Sequence, residues 1–74
     1  MKRYRNLAGD SGVLAYEAGP RSIKVRFRNG TTYTYTYQSA GRDNIEHMKV
    51  LARDGRGLST FISTAVKDRF ASKS

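Results

Sequence analysis

"FRNGTTYTYTY", residues 27 to 37, decides how this chain folds, because one residue of hairpin register determines which way its alternating tyrosines point. Asn29-Gly30 is a strong hairpin signal. Before it lies "SIKVRFR" (22 to 28), alternating apolar and basic residues, and after it a strand built from Thr and Tyr. If Asn29-Gly30 is a two-residue type I′ loop, Arg28 pairs with Thr31, Arg26 with Tyr33 and Lys24 with Tyr35. The tyrosines then share a face with the cations, as a stacking platform for bases. If the loop is Arg28-Asn29-Gly30, with Gly30 as the left-handed residue of a G1 bulge, Phe27 pairs with Thr31, Val25 with Tyr33 and Ile23 with Tyr35. Lys24 then faces Thr34 and Arg26 faces Thr32. A slip of one residue exchanges the whole set.

Burial weighs on this choice. The 74 residues make one domain, and a domain of this size buries only roughly 60% of the surface of its unfolded chain, so its core needs nearly every large apolar residue. The bulged register gathers Ile23, Val25, Phe27, Tyr33, Tyr35 and Tyr37 on one face and leaves Lys, Arg and Thr on the other. Each buried aromatic contributes roughly 150–250 Å² of contact. That segregation favours the bulged register, while Asn-Gly remains the strongest type I′ signal.

Outward from the hairpin, a first strand is expected over roughly Val13 to Glu17, closed by Gly19-Pro20. After Ser39 the period changes. Asp43 or Ser39 is positioned to cap a helix, with Glu46 three residues after Asp43 and with Ile45, Met48, Leu51 and Ala52 on one face. Gly55 is the expected left-handed stop. Leu58, Phe61, Ile62, Ala65, Val66 and Phe70 follow an amphipathic helical pattern, capped by Ser59 or Thr60. The fold class is therefore α+β: a three-stranded antiparallel meander with two C-terminal helices on one face, in the order β-β-β-α-α. Residues 1–10 and 71–74 are expected to be flexible tails.

Charge narrows the partners. Fourteen Lys and Arg against six Asp and Glu give +8 and a pI near 10.3, with +5 carried by residues 1 to 37. Such a chain attracts polyanions, nucleic acid before anionic membrane, although a basic surface also serves solubility. Without cysteine there is no disulfide, thiol nucleophile or Cys-based zinc motif, and a reducing, cytoplasmic compartment is the simplest fit. No apolar run approaches the ~20 residues of a membrane span, so a soluble protein is expected.

Residues spread over both halves of the chain carry a family resemblance. "IKVRFRNG", Tyr33-Thr34-Tyr35, Phe61-Ile62-Ser63 and Val66-Lys67-Asp68-Arg69-Phe70 together resemble the KTSC domain, a module of this size found alone in bacteria and at the C-terminus of some lysyl-tRNA synthetases. The match covers roughly residues 10 to 71. Ser63 stands where the family often has Asn, and Phe70 where it has Tyr. The resemblance brings no established activity with it, and the family's company with a synthetase points to RNA by association alone.

Lys24, Arg26 and Arg28 stand about 7 Å apart along one strand face, close to phosphate spacing, with Thr32, Thr34 and Thr36 beside them. The same residues also read as a solvated face that discourages edge pairing. In "RDGRGLST", Arg56 between Gly55 and Gly57 stands before a helix start that could hold a phosphate. An ordinary helix–turn–helix connection uses the same residues. His47 is the only histidine. It lies off the apolar helix face, one turn from Asp43, and no nucleophile or metal-ligand spacing accompanies it. The expectation is a non-enzymatic module, without cofactor or metal, that binds RNA or single-stranded nucleic acid with low sequence specificity. Lys24, Arg26, Arg28, Thr34 and Arg56 are its contact residues, helped by a flexible Lys2, Arg3 and Arg5. The alternative is a protein-interaction or accessory domain using the open sheet face or edge. A monomer is expected, and an exposed third strand is the route to a homodimer.

Overall fold

The computed structural model describes residues 1–9 and 11–74. Asp10, where the expected tail ends and the family resemblance begins, lies outside them. The chain is a small α+β domain with one antiparallel sheet. Its strands are β1 (Lys2–Arg3), β2 (Val13–Ala18), β3 (Ser22–Phe27), β4 (Thr32–Thr36) and β5 (Ser72–Lys73), in spatial order β1-β2-β3-β4-β5. Between β4 and β5 run α1 (Tyr37–Ala40), α2 (Arg42–Asp54) and α3 (Leu58–Phe61), the last continuing as a π-helical stretch over Ile62–Val66.

The hairpin takes the bulged register. The Phe27 N–H donates to the Thr31 carbonyl at 2.9 Å, the Gly30 N–H returns to the Phe27 carbonyl at 2.9 Å, and Gly30 has φ +88°. Asn29 stabilises the same turn through its Oδ1, which accepts from the Thr31 N–H. Ile23 therefore faces Tyr35, and Val25 faces Tyr33. The segregation expected from burial follows: Ile23, Val25 and Tyr35 are buried, while Lys24 and Arg26 are exposed. Tyr33 is half-buried. Tyr37 departs from the expected strand face, because Thr36 ends the strand as the cap of α1. The Thr36 Oγ1 accepts from the Ser39 N–H, and the Ser39 Oγ accepts from the Thr36 N–H. Tyr37 then swings toward α2, where its hydroxyl donates to Glu46 at 2.6 Å.

Helix starts are where the expected caps give way. Ser39 is the return partner of Thr36 rather than a cap, Asp43 lies inside the first turn of α2, and Gly41 and Gly57 occupy the two later cap positions. At the other end of α2, Gly55 is the left-handed stop (φ +77°), its N–H donating to the Leu51 carbonyl. Ile45, Met48 and Ala52 are buried from this helix, and Leu58, Ile62 and Val66 from the next. All six join the buried strand residues in one core. The second helical segment stops at Val66 instead of running to Phe70. Ser63 and Thr64 both donate their hydroxyls to the Thr60 carbonyl, competing for the acceptor that a regular helix gives to a backbone N–H. The ladder widens to π geometry and ends with Lys67 at φ +45°.

Residues within both expected tails pair with the sheet. Lys2 and Arg3 pair with Tyr16 and Ala15, and the next residue, Tyr4, is 4% exposed. The Tyr4 hydroxyl accepts from the Leu58 N–H, supplying the cap that Gly57 lacks. At the C-terminus the reversal after Val66 sets Phe70 against Tyr33, with ring centroids 4.9 Å apart, and lays β5 along β4. Two further strands thus flank the expected meander. β4 is not an edge: Thr32 exchanges backbone hydrogen bonds with Ser74, and the Thr34 carbonyl accepts from Ala71. The third strand, expected as a route to a homodimer if it lay at the edge, is instead covered by β5 at Tyr33 and Thr34. Among the described residues, no helix is long and apolar enough to cross a membrane.

Candidate nucleic-acid interface

Helices cover one face of the sheet and leave the other to solvent. On that open face the ladders align Arg3, Ala15, Arg26 and Thr32 in one row across four strands. A second row runs Glu17, Lys24, Thr34 and Ser72. Of the expected contact residues, Lys24, Arg26 and Thr34 are therefore brought together as the alternation in "SIKVRFR" implies. Lys24 and Arg26 are exposed, and neither belongs to an ion pair among the described residues.

The field is not uniform along the face. Glu17 stands directly opposite Lys24, and its carboxylate lies 4.0 Å from the N-terminal ammonium. Around Arg26 the small side chain of Ala15 separates two cations, so the excess positive charge is greatest toward Arg3 and Arg26. Arg28 joins them by a different route. It belongs to the hairpin turn rather than to the strand, with its N–H donating to Gly12. It lines a cleft of about 430 Å³ with Arg3, Arg5 and Leu14. The cleft forms where the pairing of β2 with β3 shifts between Val13 and Ala15, leaving Leu14 45% exposed. An unpaired bulge residue of this kind bends a strand and re-aims its side chains. The Arg5 guanidinium is held to the Arg53 carbonyl at 2.6 Å, at the C-terminal end of α2.

Arg3 is the main cation of this face that the sequence assigned only to a flexible arm. The period-2 pattern of a strand cannot be seen over two residues, and the pairing that fixes Arg3 depends on burial of Tyr4 beyond it. Arg56 is not gathered into this surface. It is exposed in the turn between α2 and α3, in the layer that covers the opposite face. The amides of this turn are used as in an ordinary helix–turn–helix connection, the reading the sequence favours over a phosphate cradle: the Arg56 N–H donates to Leu51 and the Leu58 N–H to Tyr4.

His47 is exposed and packs its ring 4.7 Å from Phe61. Among the described residues, no group of three or more His, Asp or Glu side chains is arranged to hold a metal. What the open face offers chemically is fixed positive charge with hydroxyl donors beside it, the set that contacts phosphodiester oxygens. No family model, curated protein or solved structure matches the chain.

Proposed function

We propose that this chain is a small non-enzymatic module that binds RNA or single-stranded DNA through its open sheet face, with low sequence specificity. One observation carries the reading: Arg3 and Arg26 flank Ala15 on the uncovered face, with Lys24 and Arg28 adjoining them and no acidic partner for Arg3 or Arg26 among the described ion pairs. Guanidinium groups on a strand make bidentate contacts with phosphate, and the hydroxyls of Thr32 and Thr34 extend the row. Backbone contacts of this kind position a polyanion without reading its bases. The resemblance to the KTSC domain is compatible with the same partner class through association with a synthetase.

The test is a fluorescence-anisotropy titration of a single-stranded RNA 12-mer at several salt concentrations. Each phosphate neutralised contributes a slope of about −0.7 to log K against log salt for a single strand. Three or four contacts therefore predict a slope between about −2 and −3. Absence of binding at low salt overturns the reading and leaves the protein-partner alternative, an accessory domain using the same face.

A further inference from the structure

A second feature lies at the hairpin end of the molecule, on the side away from the basic face. Phe27, Tyr33 and Phe70 form three walls of a cleft of about 320 Å³, with Asn29, Lys67 and Asp68 at its margin. Phe27 meets Tyr33 edge-on at 5.5 Å, and Phe70 is tilted against it at 4.9 Å. Tyr33 is only half-buried, unlike Tyr35 beside it. We propose that this cleft takes one unpaired base of a single-stranded nucleic acid, stacked on the aromatic walls. The proposal rests on the nucleic-acid reading above and adds a base site to it.

Four observations support this occupant. The cavity is at the small end of ligand-site volumes, large enough for a ring system rather than a folded chain. Its aromatic walls suit any base, since every base has a π-face. Its margin supplies both kinds of hydrogen-bonding group. The Asn29 Oδ1 is occupied by the Thr31 N–H, which leaves the amide NH₂ as donor, while the Asp68 carboxylate accepts. Lys67 adds a cation at the margin, and Arg28 lies outside the lining in the adjoining hairpin turn, so a phosphodiester linkage can pass over the hairpin tip from the open face.

The backbone of this cleft also departs from regular structure. The π-helical stretch Ile62–Val66 contributes Ile62 to its lining, and Lys67 follows at φ +45°, ψ −114°. That conformation is outside the regions a non-glycine residue ordinarily occupies. It is held by the Lys67 N–H donating to Ile62 at 2.6 Å and by the Lys67 carbonyl accepting from the Tyr35 hydroxyl at 3.5 Å. Single π turns and strained residues concentrate at ligand sites.

The experiment compares two oligonucleotides of equal length and phosphate number on the intact chain, one of thymidine and one of abasic tetrahydrofuran units. Base stacking predicts that the thymidine strand binds about tenfold more tightly, with the same salt slope. A single 2-aminopurine in the strand should lose fluorescence on binding, and Tyr33→Leu, which keeps an apolar side chain there without the π-face, should abolish both the loss and the tenfold preference. Equal affinity of the two strands overturns the base site while leaving the basic face intact. Failure of both to bind at low salt overturns both readings.

Discussion

Val25 stands directly opposite Tyr33 across β3 and β4, and one step along the ladder Arg26 stands opposite Thr32 on the other face. The two pairings are set together by the bulge at Gly30, so the turn that buries Tyr35 also keeps Arg26 in solvent. Fold and candidate surface share one determinant.

That determinant can be compared with a second left-handed glycine. A Cβ at Gly30 (φ +88°) would meet nothing within 4 Å, so Gly30→Ala carries only the left-handed penalty, about 1–2 kcal/mol. At Gly55 (φ +77°) the added Cβ would lie 2.9 Å from the Arg5 Cβ, in the contact where the Leu7 N–H donates to the Gly55 carbonyl. Overpacking there adds about 1–3 kcal/mol. Urea denaturation should rank Gly55→Ala well below Gly30→Ala in stability, and Gly30→Asn should recover part of the loss. Equal losses at the two positions would contradict the packing described at Gly55.

Tyr4 supplies a test of the N-terminal segment as structure. Its ring is buried and its hydroxyl accepts from the Leu58 N–H at 3.3 Å. Tyr4→Phe keeps the ring but leaves a buried amide without its partner, at a cost of about 1–3 kcal/mol. Tyr4→Ala also removes the aromatic, and costs about 3–5 kcal/mol. Thermal melts of the two variants give the ordering, and a Tyr4→Phe protein as stable as the parent would show that the hydroxyl caps nothing.

The sequence carried the hairpin because Ile23, Val25 and Phe27 alternate strictly with cations, and burial could choose between two discrete registers. It carried α2 through the spacing of Ile45, Met48 and Ala52 and the stop at Gly55. It did not carry β1 and β5, whose two-residue pairings are too short to show a period and depend on Tyr4 and Phe70 docking from a distance. Nor did it show the π turn, which coincides with two hydroxyls sharing the Thr60 carbonyl. The same division runs through the surface: Lys24, Arg26 and Thr34 lay within a legible strand pair, whereas Arg3 was fixed by long-range pairing and Arg56 fell in the other layer.

Alkaline pH should weaken the fold through Tyr35. Burial, followed by the neighbouring Tyr33, pushes the Tyr35 phenol up to about 12 from an ordinary 10.0. The unfolded chain therefore releases this proton before the folded one does, and stability that is complete below pH 10 declines as pH rises toward 12. A shift of that size corresponds to about 2–3 kcal/mol. The stability of the parent relative to Tyr35→Phe, followed by denaturant unfolding from pH 9 to 12, should fall by about that amount. A difference independent of pH would mean that Tyr35 ionises as freely in the folded protein as in the unfolded one.

Arg26 and Arg56 separate a located interface from a diffuse charge effect. Each change to Glu lowers the net charge by the same amount, but Arg26 lies on the open face beside Thr32 and Ala15, while Arg56 lies in the helix layer. If phosphates contact the sheet, Arg26→Glu should weaken single-stranded RNA binding about tenfold and reduce the magnitude of the salt slope by about 0.7, one contact's worth. Arg56→Glu should change affinity less than about threefold, by long-range attraction that salt screens. If one phosphate bridges both guanidinium groups, adding Arg3→Glu to Arg26→Glu should cost less than a further tenfold, because that contact is lost only once. Equal effects of Arg26→Glu and Arg56→Glu would mean that binding follows net charge and that the open face is not the contact surface.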